Sequence, residues 1–110
     1  MANKYNASET RVDGIRFDSK KEARRFMELK LLLKSGKIKD LRLQPNLTLI
    51  EGFTTMEGER IKPEVYRADF SYIDQWGNRI YEDAKGHKTE VYLLKMKQVL
   101  DKYGIRIREV

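Results

Sequence analysis

Between Val65 and Lys85 the chain alternates apolar and polar residues, breaks at a turn and alternates again, which restricts this stretch to paired strands. Tyr66, Ala68, Phe70 and Tyr72 occupy every second position, with Val65, Arg67, Asp69 and Ser71 between them. A period of two belongs to a strand, because successive side chains leave a pleated backbone on opposite faces. Asp74-Gln75-Trp76-Gly77-Asn78 is built of turn-forming residue types, and Arg79 to Lys85 returns as the second strand. If the turn is symmetric about Trp76, Asp69 faces Asp83 and the two carboxylates share one face. A slip of one residue would put them on opposite faces.

The flanking segments have other periods. A polar arm over 1–14 ends at Val12-Asp13-Gly14, and the segment from Ser19 to Ser35 is helix-like, with Phe26, Leu29 and Leu33 at three- and four-residue steps and Gly36 as its stop. Leu41 to Phe53 is extended, with Pro45 marking an edge or bulge, and TTMEGER after it predicts a turn. Thr89 caps a second helix running to Tyr103, whose Tyr92, Leu93, Met96, Val99, Leu100 and Tyr103 form an apolar stripe. Gly104 ends it, and Ile105 to Arg108 alternates as a closing strand. The order is helix, three strands, helix, strand, an α/β plan, and 110 residues suit one domain.

Composition narrows the partners. Lys and Arg outnumber Asp and Glu by 23 to 17, and a net charge of +6 attracts a polyanion without identifying it. Without cysteine, neither a disulfide framework nor a thiolate zinc site is available. No apolar run approaches the ~18 residues of a membrane span, and the polar start MANKYNASETR lacks the core of a secretory signal, so a cytoplasmic protein is expected.

The chemistry-bearing residues cluster on the predicted hairpin. Asp83 and Lys85, two apart on a strand, leave the same face. Asp69 opposite Asp83 would set like charges across a ladder, an arrangement that a divalent cation relieves. Oxygen donors suit Mg²⁺ or Mn²⁺, and the chain holds a single histidine for any softer ion. Lys85 alone could equally neutralise both aspartates. Glu22 lines up with Phe26, Leu29 and Leu33 on the inward helical face, but Ser19 and Glu22 also have capping-box spacing. His87, in a Gly-His-Lys loop, fits a solvated or phosphate-contacting residue better than a proton shuttle. Lys88, Lys95, Lys97 and Lys102 could meet a phosphate backbone or simply solvate the second helix. Tyr66, Tyr72 and Tyr92 read as core or rim aromatics, and no Gly-rich phosphate loop or nucleophile elbow is present.

These residues resemble the PD-(D/E)xK, or restriction-endonuclease-like, nucleases, and in particular the small bacteriophage-encoded members related to phage Holliday-junction resolvases. The likeness runs through Asp13-Gly14-Ile15, Phe17 to Ala23, Gln44-Pro45, Ala68-Asp69-Phe70, Glu82 to Gly86 and Thr89 to Lys97. It implies a mixed sheet flanked by helices, in the order α-β-β-β-α-β. It also implies that Glu22, Asp69, Asp83 and Lys85 are catalytic, with Asp69, Asp83, the Ala84 carbonyl and Glu22 as metal ligands and Mg²⁺ as the ion, replaceable by Mn²⁺. Here alanine precedes the first acidic residue where the family has proline, and the triplet uses aspartate, with Glu82 as its neighbour. The implied activity is hydrolysis of phosphodiester bonds in branched DNA by a homodimer, with Lys20, Lys21, Lys88, Lys95 and Lys97 against the DNA. A less selective or nicking nuclease of the same fold, and a DNA-binding module without catalysis, are the alternatives.

Overall fold

The computed structural model describes residues 10–84 and 88–110. The end of the expected arm forms a small hairpin, β1 (Thr10–Val12) with β2 (Ile15–Phe17), turning through Asp13 and Gly14 at φ 53° and 79°. Helix α1 (Lys20–Lys34) starts where Ser19 Oγ accepts the Glu22 N–H at 3.1 Å and stops before Gly36, which takes a left-handed φ of 80°. Its buried face is Ala23, Phe26 and Leu29, with Leu32 packed beside them, whereas Leu33, expected on that stripe, is exposed.

The extended segment expected from Leu41 to Phe53 is two strands, β3 (Lys39–Leu43) and β4 (Asn46–Ile50), interrupted at Gln44-Pro45 with Gln44 at φ 51°. TTMEGER, expected as a turn alone, lies within a short hairpin of β5 (Phe53–Thr54) and β6 (Arg60–Ile61). The next segment, expected to be continuous, divides into β7 (Glu64–Arg67) and β8 (Phe70–Ile73) at Ala68-Asp69. β9 (Arg79–Asp83) follows, then α2 (Glu90–Tyr103), capped by Thr89 Oγ1 on the Tyr92 N–H at 3.0 Å and closed by Gly104 at φ 69°. The closing strand, β10 (Arg108–Glu109), begins later than its alternation suggested.

A mixed four-stranded sheet runs in the order β10-β9-β8-β3, with β10 parallel to β9 and the other neighbours antiparallel. The turn is symmetric about Trp76, since Phe70 pairs with Glu82, Ser71 with Tyr81, Tyr72 with Ile80 and Ile73 with Arg79. Asp74 Oδ1 fixes it by accepting the Trp76 and Asn78 N–H groups at 3.0 and 2.9 Å. β4 and β7 form a separate ladder that continues the hydrogen bonding of β3 and β8, because Ala68 N–H donates to Pro45 O and Gln44 N–H to Asp69 O.

The paired breaks at Gln44-Pro45 and Ala68-Asp69 divide one long hairpin between two cores. Phe70 and Tyr72 pack with Phe17, Phe26 and Leu29 under α1. Tyr66 and Ala68, of the same parity, pack instead with Leu47, Leu49, Tyr92 and Val99 under α2. All four alternating residues are buried, as expected, but a single flat sheet could not send them to two different helices.

Glu82 joins α1 to the sheet. Its side chain is wholly buried and takes both prongs of the Arg25 guanidinium, Nε to Oε1 at 2.8 Å and Nη2 to Oε2 at 2.6 Å, together with the Tyr72 hydroxyl. The bidentate fork satisfies a charge that burial would otherwise penalise heavily. Glu82→Ala, which strands a partly buried guanidinium, is expected to lose about 3 kcal/mol in urea unfolding. Replacing Glu82 and Arg25 together by apolar residues of similar volume should recover most of that loss.

Candidate functional site

Asp69 sits where β7 ends and β8 begins. Its N–H donates to Glu82 O at 3.0 Å, its carbonyl accepts the Gln44 N–H at 2.9 Å, and its Oδ2 accepts the Ala84 N–H at 2.7 Å. The carboxylate therefore reaches across to the end of β9. The β8–β9 register follows the expected symmetric turn as far as Phe70–Glu82, and because the Asp69 N–H donates to that same Glu82 it is not continued to an Asp69–Asp83 pair. Alternation along β9 sends Glu82 toward α1 and Asp83 to the other face, toward α2.

Asp83 is wholly buried, and its Oδ2 accepts the Tyr66 hydroxyl. The Tyr66 ring meets that of Tyr92 edge-on, with centroids 6.4 Å apart. Burial first, and then the nearby negative charge of Asp83, push the Tyr92 hydroxyl up to about 12, with Asp69 adding to the effect. The same causes, together with its hydrogen bond to Asp83, raise Tyr66 further. On the α1 side, burial and the Glu82 hydrogen bond push Tyr72 up to about 12.

A cleft of about 550 Å³ opens beside this group between β4, β7 and the start of α2, lined by Asn46, Tyr66, Arg67, Thr89, Tyr92 and Lys95. Arg67 Nε donates to Asn46 Oδ1 at 3.3 Å, and Lys95 Nζ to the Val65 carbonyl at 3.3 Å, so both cations are held at its wall. Such a cleft can receive an anionic group next to the carboxylates.

The expected site residues separate as follows. Asp69, Asp83 and the Ala84 backbone come together, while Lys85 and His87 lie outside the described residues. Glu22 is buried in the first turn of α1, its N–H on the Ser19 cap. Among the described residues no three Asp, Glu or His side chains are grouped as ligands of one ion. Of the expected DNA-contacting lysines, Lys95 lines the cleft. Lys97 borders a different groove, Lys88 is paired with Glu109 at 2.9 Å, and Lys20 and Lys21 are exposed at the start of α1.

Sequence reasoning did not find Asn46 and Arg67 at the cleft wall, and it read Tyr66 and Tyr92 as core or rim alone. Tyr66 and Tyr92 are core residues, but their hydroxyls also face the carboxylates. The available signal was Tyr66 standing three residues before Asp69 on a strand whose partner carries Asp83.

A family model described as "Protein of unknown function (DUF1064)" matches residues 2–108. No curated protein and no solved structure matches the chain.

A tyrosine titration checks the packing of this site. Tyr72 and Tyr92 have hydroxyl pKa values raised from 10.0 to about 12, so their contribution to stability is intact below about pH 10 and is lost as pH rises toward 12. Ultraviolet absorbance should show late-ionising tyrosines whose titration coincides with unfolding by circular dichroism, and Tyr66→Phe and Tyr92→Phe should each shrink that late component. Ionisation of all tyrosines near pH 10, with the fold intact, would contradict the buried hydroxyl cluster.

Proposed function

The chain belongs to the DUF1064 family of proteins of unknown function, and from its site we propose that it is a metal-dependent DNA endonuclease acting on branched duplexes. The observation that carries the proposal is that the Asp69 and Asp83 charges both act on the Tyr66 and Tyr92 hydroxyls, with Asp69 held at the end of β9 by the Ala84 N–H at 2.7 Å. Like charges so placed favour a cation, and a donor set made only of oxygens fits Mg²⁺ or Mn²⁺. The mixed α/β plan, with a mixed sheet and two helices, supports the reading, although seven strands lie between the helices where the nuclease resemblance implies three. A net charge of +6 and the cations at the cleft wall support a nucleic-acid substrate.

Asp69, Asp83 and the Ala84 carbonyl would hold the ion. When bound, it would polarise the scissile phosphate and lower the pKa of a coordinated water. The chain's own groups have separate tasks. The Ala84 N–H orients Asp69, and the Tyr66 hydroxyl fixes the rotamer of Asp83. Lys95 and Arg67 would hold the phosphates flanking the cut in the cleft. Lys85, of the same strand parity as Asp83, would stabilise the charge that develops on the phosphate, and Glu22 would act from the start of α1.

A second reading has an observation of its own. Asp69 and Asp83 each accept a hydrogen bond within the fold, as structural carboxylates do, and a DNA-binding module without catalysis would keep them for that purpose. Incubation with Mg²⁺ and labelled four-way junction, flap and linear duplex separates the two. Asp69→Asn and Asp83→Asn, which preserve shape, should reduce cleavage at least about 100-fold while DNA binding persists. Glu22→Gln should keep thermal stability and lose cleavage. Equal cleavage of junction and linear duplex would favour a less selective nuclease, and an absence of metal-dependent cleavage on every substrate would favour the binding module.

A further inference from the structure

The turn between β8 and β9 holds Trp76 outward on a fixed backbone. Asp74 Oδ1 ties down the Trp76 and Asn78 N–H groups, and the Gly77 N–H donates to the Asp74 carbonyl at 3.1 Å. None of these bonds uses the indole, which is 76% exposed. Small polar residues serve such a turn as well, so the ring is presented without helping to hold it.

Two concavities meet at Trp76, of about 370 and 210 Å³, and Lys37, Ile38, Asp74 and Gln75 line both. Lys39 borders the larger one, and Arg25 and Arg108 the smaller. Arg25 is committed to Glu82 and Glu28. Lys37, Lys39 and Arg108 are exposed and make no ion pair among the described residues. Arg108 reaches only the Tyr72 hydroxyl, at 3.4 Å. Asp74 is the one acid among these lining residues, and its Oδ1 faces the two turn amides.

A flat aromatic among unopposed cations suits a partner that offers both a π-face and negative charge. Single-stranded nucleic acid offers both. A protein interface requires a wider apolar centre, whereas the apolar neighbours here, Ile38 and Tyr72, are already buried. A closed duplex supplies the charge but keeps its base faces inside the stack, so only an unpaired strand can lie against the ring.

We propose that Trp76 is a stacking platform for an unpaired DNA strand, with Lys37, Lys39 and Arg108 holding the phosphates that flank the stacked base. The choice of DNA rests on the nuclease reading above. The platform itself does not, since about 20 Å of hairpin separates Trp76 from Asp69. It narrows the substrate of that reading to branches that carry a single-stranded segment, such as a flap or an opened junction.

Trp76 is the chain's single tryptophan, so its own fluorescence reports the contact. In EDTA, where no metal-dependent cut can occur, a short oligothymidylate should quench the emission saturably, and a blunt duplex of equal length much less. Trp76→Ala should weaken binding of the labelled oligonucleotide about 10-fold by anisotropy, and Trp76→Phe should recover most of the loss, with melting temperatures unchanged. Lys37→Gln and Lys39→Gln should each make the affinity less dependent on salt. Unquenched emission, equal quenching by single strand and blunt duplex, or undiminished binding by Trp76→Ala would each overturn the proposal. Quenching by polyglutamate as strong as by the oligonucleotide would overturn it too, and would assign the platform to an acidic protein. Asp69→Asn and Asp83→Asn should leave the quenching intact. A failed nuclease reading, with no Mg²⁺-dependent cleavage of any substrate, is thereby told apart from a failed platform.

Discussion

At the bend between β7 and β8, the backbone and side chain of Asp69 bond to two segments together: the Gln44 amide beyond β3, and the Glu82 carbonyl and Ala84 amide at the end of β9. This node interrupts the long hairpin without breaking its ladder. Because the chain turns there, residues before it feed the core under α2 and residues after it feed the core under α1. The same bend presents the Asp69 carboxylate to the end of β9. One constraint therefore produces both the two-core architecture and the placement of the Asp69 carboxylate, and neither survives if the hairpin is made straight.

Adjacent residues on β9 illustrate how environment divides two acids. Glu82 and Asp83 are both wholly buried. Glu82 faces α1 and is neutralised by the two-pronged Arg25 contact, a structural solution that holds helix to sheet. Asp83 faces the other way, against the Tyr66 hydroxyl. Strand parity alone assigns them to opposite sides, and the partner found on each side distinguishes the helix-to-sheet contact of Glu82 from the chemical role we propose for Asp83. The tyrosines follow the same division, Tyr72 serving Glu82 and Tyr66 serving Asp83.

Much of this was readable from local patterns. Both helices fall within a residue or two of their expected limits, because Ser19, Gly36, Thr89 and Gly104 are unambiguous caps, and the turn about Trp76 has the expected register. The breaks were not readable. Pro45 signalled a bulge, but nothing local shows that Ala68-Asp69 bends in response, since that depends on a ladder partner more than twenty residues away. The Arg25–Glu82 pair, 57 residues apart, was invisible for the same reason. The α2 stripe was readable as an apolar face, but periodicity does not show how wide a neighbour covers it; the structure covers Tyr92 and Val99 and leaves Leu93 and Leu100 exposed. For the site, parity separates Asp83 from Glu82, whereas the doubling of Asp69 and Phe70 against Glu82, and Asn46 and Arg67 at the tertiary cleft, were not readable.

The central claim is that the Asp69–Asp83 pair is a cation site and not merely a buried polar contact. Calorimetric titration of the free protein with Mn²⁺ tests it most directly, because it requires neither the correct substrate nor turnover. The account predicts one saturable site in the wild type that disappears in both Asp69→Asn and Asp83→Asn and persists in Glu51→Gln, an exposed acid between β4 and β5. A wild type that takes up no ion, or an Asp69→Asn variant that binds it unchanged, would contradict the account.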